Sequence, residues 1–136
     1  MKLNPRTGIY EHEKREKKPR HDEQHLQMAV VSYLRLQYPD VLFTISPGGL
    51  ITNSRTGGKA KKMGYTPGTP DLMIFAEGHY KWTKYASLFL ELKIDKEQLS
   101  SVQEDWLKKL NQRGYLAVCC HGFEEAKAVI DGYLKK

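Results

Sequence analysis

The heptapeptide LFLELKI, residues 88–94, decides the fold that this sequence predicts. Its length and apolar content are typical of a buried strand. Side chains alternate between the two faces of a strand, and one face here is apolar, with Leu88, Leu90 and Leu92. The opposite face carries Glu91 and Lys93. An unpaired charge is costly inside a core, so an acid and a base on one face of this strand require a specific explanation.

The segments around this strand predict an α/β fold with a mixed sheet flanked by helices. Apolar periodicity and turn residues predict helices near 22–37, 58–63, 99–112 and 123–134, and further strands at 41–46, 71–75 and 115–120. We expect Asp22 to cap the first helix and a Pro47-Gly48-Gly49 turn to follow the first strand. A full helix separates strands 88–94 and 115–120, which predicts that they are parallel, whereas the earlier strands can form a meander.

Length and composition favour one domain. A chain of 136 residues fits a single core. Residues 1–20 are basic and lack apolar periodicity, so we expect a mobile or loosely held arm before a single domain at 21–136. The apolar stretches are too short to cross a bilayer and the N-terminus lacks the apolar segment of a signal peptide, which favours a cytoplasmic location without membrane contact.

The two cysteines, Cys119 and Cys120, are adjacent in the sequence. Neighbours on a strand point to opposite faces, so they neither form a comfortable disulfide nor bind one ion together. We expect small, reduced residues within the last strand, which agrees with a cytoplasmic location.

The net charge of +6 is concentrated locally. Residues 52–64 contain four bases and no acid: Arg55, Lys59, Lys61 and Lys62. A polar connection further on interleaves amines with aromatic rings, among them Lys81, Trp82 and Lys84. Both patterns suit contacts with nucleic acid. The alternatives are ordinary solubility charge for the first and aromatic packing on the core or a dimer partner for the second.

Loop symmetry predicts which residues face Glu91. The polar connection 77–86 is centred midway between Asp71 and Glu91, so a symmetric hairpin places these two residues opposite each other. Opposed residues have Cβ atoms roughly 4.5–5.5 Å apart. Two carboxylates at that distance repel unless a cation lies between them. Lys93 supplies part of that charge, and a divalent cation such as Mg²⁺ would supply the rest. Taken singly, each residue is also compatible with an ordinary strand-end charge.

A longer pattern surrounds these charges and resembles a known family. Gly68-Thr69-Pro70-Asp71-Leu72 is followed by Glu91-Leu92-Lys93 and then by Leu99-Ser100-x-x-Gln103-x-x-Trp106. The set, in this order, is similar to the VRR-NUC family (virus-type replication-repair nucleases) of the PD-(D/E)xK nuclease superfamily. The upstream Ser46-Pro47-Gly48-Gly49 also fits that family. The resemblance extends over residues 23–122.

The resemblance implies a restriction-endonuclease-like αβββαβ core and a Mg²⁺- or Mn²⁺-dependent DNA endonuclease without an organic cofactor. Asp71 and Glu91 match the metal-binding acids, with the carbonyl of Leu92 as a further ligand. Lys93 matches the residue that orients the attacking water or offsets charge on the phosphate. Glu23 matches an acid near the metals, acting through water. Its alternative is an acid that the helix dipole favours.

Gln103 lies at the border of the apolar stripe of its helix, where an amide needs hydrogen-bond partners. The resemblance implies that it points back toward the site, and a solvent-exposed boundary position is the alternative. The resemblance also implies homodimers that act on branched or junction DNA in phage or viral replication, recombination or repair. Flap or single-strand nicking is a second candidate activity. A basic DNA-binding module that does not cut is the candidate from another class.

Overall fold

The computed structural model describes residues 2–3, 10–11, 20–50 and 54–135. The elements in chain order are β1 (Lys2–Leu3), β2 (Tyr10–Glu11), α1 (Arg20–Gln37), β3 (Phe43–Ile45), a 3-10 turn (Pro47–Leu50), α2 (Ser54–Lys62), β4 (Leu72–Ile74), β5 (Gly78–Tyr80), β6 (Thr83–Tyr85), β7 (Leu88–Lys93), α3 (Ser101–Gln112), β8 (Leu116–His121) and α4 (Phe123–Leu134). Apart from β1, β2 and the first residue of α1, the predicted arm lies outside the described residues.

The central sheet is mixed, as the sequence predicts. Its strand order is β3-β4-β7-β8, with β3, β4 and β7 antiparallel in turn and β8 parallel to β7. Strand β4 pairs Leu72 with Leu90 and Met73 with Phe89. Continuing this register by one residue places Asp71 opposite Glu91, which is the register that loop symmetry predicts.

The leucine face of β7 forms the centre of the core. Leu88 and Leu90 are fully buried and Leu92 is nearly so. Helices α1 and α4 cover this face, and their apolar residues join the same cluster: Leu26, Val30, Leu34, Ala126, Ile130 and Tyr133. Helix α3 packs against β8. No helix in the described ranges is long and apolar enough to cross a membrane.

Several element boundaries differ from the predicted ones. Helix α1 begins at Arg20, so Asp22 lies in its first turn instead of capping it, a position that the helix dipole also favours. Helix α3 begins at Ser101 because Ser100 is its cap. The stretch after β3 is a 3-10 turn. The connection 77–86 contains the hairpin β5–β6, which the sequence pattern does not predict.

Candidate active site

Asp71 and Glu91 form the centre of the candidate site, at the point where β4 begins and β7 nears its end. Asp71 Oδ2 accepts a hydrogen bond of 2.7 Å from the backbone N–H of Leu92. Glu91 is only 2% exposed, and its Oε1 accepts a 3.1 Å hydrogen bond from Gln103 Nε2. Its Oε2 is buried and has no hydrogen-bond donor. Asp71 and Glu91 therefore form two opposed carboxyls on neighbouring strands, and the Glu91 carboxyl is incompletely satisfied.

Burial favours the protonated form of both carboxyls. Burial, followed by the neighbouring charge of Asp71, raises the pKa of Glu91 to about 9, although the charge of Lys93 opposes this. Burial also raises the pKa of Asp71, against the Leu92 N–H and Lys93. Lys93 itself is 9% exposed. With Glu91 protonated, a hydrogen bond joins its carboxyl to that of Asp71, and a bound cation would take the place of that proton.

Gln103 joins the helix cap to the site. Its backbone N–H donates to Ser100 Oγ, and its Oε1 accepts from the Ser100 backbone N–H, which forms a complete capping box. Its amide nitrogen remains available and donates to Glu91. The structure thus places Gln103 at the site, as the family resemblance implies, and one side chain both caps α3 and orients Glu91.

The loop before Asp71 is attached to α3 and β3. The Trp106 indole N–H donates to the carbonyl of Pro67 at 3.1 Å. Gly68 has a φ of +89°, and a Cβ there would lie 2.5 Å from Val102 Cγ1, so this contact requires glycine. On the other side, the buried Ser46 lies 2.9 Å from the hydroxyl of Thr69, and its backbone N–H donates to the Asp71 carbonyl. These contacts fix the position of Asp71.

Glu23 is joined by an acid that the sequence pattern did not indicate. The side chain of Glu23 is exposed on α1, and a hydrogen bond with the Glu97 carboxyl raises its pKa to about 7. The charges of Lys93 and Asp71 also act on Glu23. The Glu97 carbonyl lies 2.8 Å from His121 Nε2, at the end of β8. Glu97 belongs to an irregular segment without periodicity, so its proximity to Glu23 had no signal in the sequence.

The donor set at the site fits a hard divalent cation. Carboxylate oxygens are the ligands that Mg²⁺ and Mn²⁺ prefer, and Mg²⁺ often uses only one or two of them with several waters. Among the described residues, no group of three or more His, Cys, Asp or Glu side chains is gathered closely enough to hold a metal. Asp71 and Glu91, whose Oε2 has no hydrogen-bond partner, are the pair that would hold the ion.

The cysteines occupy opposite faces of β8. Cys120 is buried in the core, whereas Cys119 is partly exposed and pairs with Glu91 across the parallel ladder. Both are free thiols. Burial raises the pKa of Cys119, and the charge of Glu91 adds to the effect.

The structure separates the predicted DNA-binding residues into two groups. Arg55, Lys59, Lys61 and Lys62 all lie on α2 and are exposed. Helix α2 is followed by Tyr65, whose hydroxyl lies against Gly48, next to the Ser46 segment that contacts Asp71. The second group, Lys81, Trp82 and Lys84, lies on the hairpin β5–β6, which connects the end of β4 to the start of β7. Because β4 and β7 are antiparallel, the hairpin lies at the sheet end opposite Asp71.

Comparisons with known proteins agree with this geometry. The sequence model of the VRR-NUC domain matches residues 23–124. A solved structure of a "VRR_NUC domain protein" superimposes with a TM-score of 0.65 and 27% sequence identity, covering 83% of this chain and 88% of that chain. A search of curated proteins found no significant match.

Proposed function

The chain belongs to the VRR-NUC family, which implies a nuclease-type function in DNA processing, and from this premise we propose a Mg²⁺- or Mn²⁺-dependent DNA endonuclease. The observation that carries the proposal is the pair of carboxyls, Asp71 partly buried and Glu91 buried, beside the buried Lys93, with a Glu91 oxygen that has no donor. A cation between the carboxyls would relieve both their repulsion and their cost of burial. These are also the acids and the base that match the family's motif.

Each residue of the site has a proposed role. Asp71 and Glu91 hold the cation, with the carbonyl of Leu92 as a further ligand and Glu23 acting through water. When bound, the ion supplies Lewis-acid activation of the phosphate and of a water molecule. Lys93 orients the attacking water or offsets the charge that develops on the phosphate. The Leu92 N–H fixes Asp71 and the Gln103 amide fixes Glu91, so both carboxyls are oriented before a substrate arrives.

The proposed substrate is branched or junction DNA, with flap or single-strand nicking as the alternative activity. A domain of this size presents one site, so cutting both strands of a junction requires a homodimer. The exposed basic side chains of helix α2, which precedes the loop that leads to Asp71, are the proposed phosphate contacts near the site. The proposed setting is phage or viral DNA replication, recombination or repair in the cytoplasm of the host cell.

Cleavage assays test the proposal directly. Junction, flap and linear duplex DNA are incubated with the protein in Mg²⁺, in Mn²⁺ and in EDTA, and sedimentation velocity gives the oligomeric state. We expect metal-dependent cleavage that Asp71→Ala and Lys93→Ala abolish. Undiminished cleavage by Asp71→Ala would contradict the mechanism. Salt-dependent binding without cleavage in any divalent metal would instead favour a DNA-binding module that does not cut.

A metal-binding assay gives an independent readout. Because a ligand that binds only the folded state stabilises it, Mn²⁺ should raise the melting temperature of the wild-type protein. The Glu91→Ala variant should show no such increase. An equal increase in both proteins would place the metal elsewhere.

A further inference from the structure

The indole of Trp82 is fully exposed at the tip of the hairpin β5–β6. Its relative accessibility is 101%, the highest of any large apolar residue in the described ranges. The other tryptophan, Trp106, is partly buried and donates its indole N–H to Pro67. Leaving a large aromatic side chain in water forfeits the stabilisation that its burial would supply. Folding of the chain does not account for a tryptophan at this position.

The turn that presents Trp82 is conformationally costly. Lys81 and Trp82 both have positive φ values, 47° and 72°. A two-residue hairpin turn of this type normally contains Asn-Gly or Asp-Gly, because other residues are disfavoured there. Lys81 and Trp82, the two central residues, therefore reduce the stability of the turn. Backbone strain of this kind is common at binding sites.

The base of the hairpin is firmly attached to α4. The Tyr133 hydroxyl donates to the carbonyls of Ala76 and Tyr85, at 2.6 and 3.2 Å, on either side of the hairpin. Gly78 packs so closely on Tyr133 that a Cβ would collide with the Tyr133 carbonyl oxygen. These contacts hold the two strands in a defined position, so the exposed indole projects from an anchored support.

The chemistry around the indole is cationic. The segment 78–85 contains Lys81 and Lys84 and no acid. The Lys81 ammonium lies 5.5 Å from the centroid of the Tyr80 ring. Lys84 contacts Glu77 at 3.3 Å in an exposed pair, which contributes little and is readily exchanged for another anion. An aromatic platform between two amines matches a nucleic-acid strand, whose bases stack and whose phosphates pair with ammonium groups.

The hairpin and the site contact different parts of a long ligand. They lie at opposite ends of β7, whose five residue steps of about 3.3 Å span roughly 17 Å. Because the hairpin tip extends beyond the start of β7, a strand that contacts both the tip and the site must be several nucleotides long.

From these observations we infer that the hairpin tip is a second nucleic-acid contact, at which Trp82 stacks on an unpaired or terminal base and Lys81 and Lys84 contact the adjacent phosphates. The inference rests on the proposed function, since it takes the DNA substrate from there and adds a base-stacking site at the far end of the sheet. Branched DNA, with its unpaired or terminal bases, offers such a base away from the scissile phosphate.

Tryptophan fluorescence tests the inference without any cleavage. In a Trp106→Phe background, Trp82 is the remaining tryptophan of the chain. The probe is a duplex with a single-stranded tail, titrated in EDTA. In a series of tails of increasing length, the Trp82 emission should be quenched once the tail is long enough to extend from the site past the start of β7. In the wild-type background, Trp82→Ala should weaken binding of this probe about tenfold, the effect typical of losing one base–aromatic stack.

A matched control is Leu36→Ala, which truncates another exposed apolar side chain, 78% accessible on α1, and should leave the affinity unchanged. Cleavage assays with Mg²⁺ or Mn²⁺ present should separate the Trp82→Ala and Leu36→Ala variants in the same way. Trp82→Ala should raise KM for long-tailed substrates more than for short ones, whereas Leu36→Ala should change neither.

Two results would overturn the inference. One is Trp82 emission that no tailed or branched DNA quenches, with equal affinity for wild type and Trp82→Ala. The other is a change in sedimentation of Trp82→Ala at unchanged DNA affinity, which would make the tip an interface between copies of the chain. Failure of the proposed function has a different signature, because the wild-type protein would then fail to cut DNA while the quenching in EDTA persisted.

Discussion

Glu91 shows how a residue can be unfavourable for folding and necessary for the site. Its Oε2 is buried without a donor, and its carboxyl lies close enough to that of Asp71 for a hydrogen bond when Glu91 is protonated. In Glu91→Gln, an amide N–H₂ can take the place of that oxygen and donate to Asp71. We therefore expect the variant to exceed the wild type in unfolding free energy by roughly 1–2 kcal/mol in EDTA at neutral pH, measured by urea denaturation, because the folded wild type must keep this buried carboxyl protonated at a pH where the unfolded chain ionises it, and glutamine carries no such cost.

The order of stability should reverse in Mn²⁺, which stabilises the wild type but not the variant. Glu104→Gln, an exposed glutamate on α3, is the control and should stay within about 0.5 kcal/mol of the wild type in both conditions. A Glu91→Gln protein that is less stable than the wild type in EDTA would show that the carboxyl is well accommodated without a cation.

The two roles of Gln103 can be separated by substitution. Gln103→Glu keeps the capping box, since glutamate is equally suited to that position, but loses the donor to Glu91 and adds a third carboxylate. We expect unchanged helix content by circular dichroism, and a 10- to 100-fold weaker Mn²⁺ affinity and lower cleavage rate, as is typical when a group that orients a metal ligand is lost.

Ser100→Ala is the complementary variant. It removes the other half of the cap and leaves the contact between Gln103 and Glu91 in place. It should cost about 1 kcal/mol of stability with little effect on metal affinity. Equal metal affinity in Gln103→Glu and the wild type would show that Gln103 serves only the cap.

At the residue scale, the sequence predicts the positions of side chains that depend only on alternation along a strand and on the register of a hairpin. Glu91, Lys93 and Asp71 could be placed on one face because the period of a strand and the symmetry of a hairpin are simple geometric rules. Glu97 could not, because it lies in an irregular segment whose path depends on tertiary contacts such as the one between its carbonyl and His121.

Helices α1 and α4 are joined by one carboxylate. Asp131 Oδ1 accepts hydrogen bonds from the hydroxyls of Tyr33 and Tyr38, at 2.5 and 2.6 Å. Burial alone would raise the pKa of Asp131, but these hydrogen bonds outweigh it, and the pKa lies below the ordinary value of 3.8. The stabilisation is therefore present above pH 3.8 and is lost as the pH falls through the lower pKa of the folded state.

Replacing Tyr38 by phenylalanine should expose this dependence. We expect Tyr38→Phe to lose about 1 kcal/mol of unfolding free energy near neutral pH, the usual net contribution of a hydrogen bond. The difference from the wild type should shrink as the pH falls below 3.8, where Asp131 is protonated first in the unfolded protein and then, below its lower folded-state pKa, in the folded protein as well. Denaturation at several pH values measures it. Tyr115→Phe, on a ring that packs against Phe89, is the control and should show no such trend.

At the element scale, long periodic segments were predicted well and short ones were not. Helix α4 has the predicted bounds, and the parallel pairing of β7 with β8 follows from the helix between them. The hairpin β5–β6 was missed because its turn, Lys81-Trp82, has none of the glycine or asparagine that usually marks a turn with positive φ. Lys81 and Trp82 give the turn its unusual backbone conformation, and because they are not typical turn residues the sequence pattern does not predict it.

At the scale of the whole molecule, charge and the sheet together set how DNA can lie on the protein. The basic helix α2 is connected to the loops around Asp71, whereas the hairpin tip lies beyond the opposite end of β7. Composition alone gave both clusters as DNA-binding candidates, but only the strand order shows that they belong to different ends of the sheet. A ligand that contacts both must therefore run along the sheet and past the site.

The salt dependence of binding distinguishes the α2 lysines from ordinary surface charge. We expect Lys61→Gln/Lys62→Gln to weaken binding to all DNA sequences and to reduce the slope of log K against log salt by up to about 2, because each phosphate contact contributes about 0.9. The matched control is Lys108→Gln/Lys109→Gln, an adjacent lysine pair exposed on α3, which changes the net charge equally. Fluorescence anisotropy at several salt concentrations in EDTA measures both slopes. Equal slopes for the two double variants would show that α2 contributes only its share of the overall charge, in which case the DNA path over the site must use other residues.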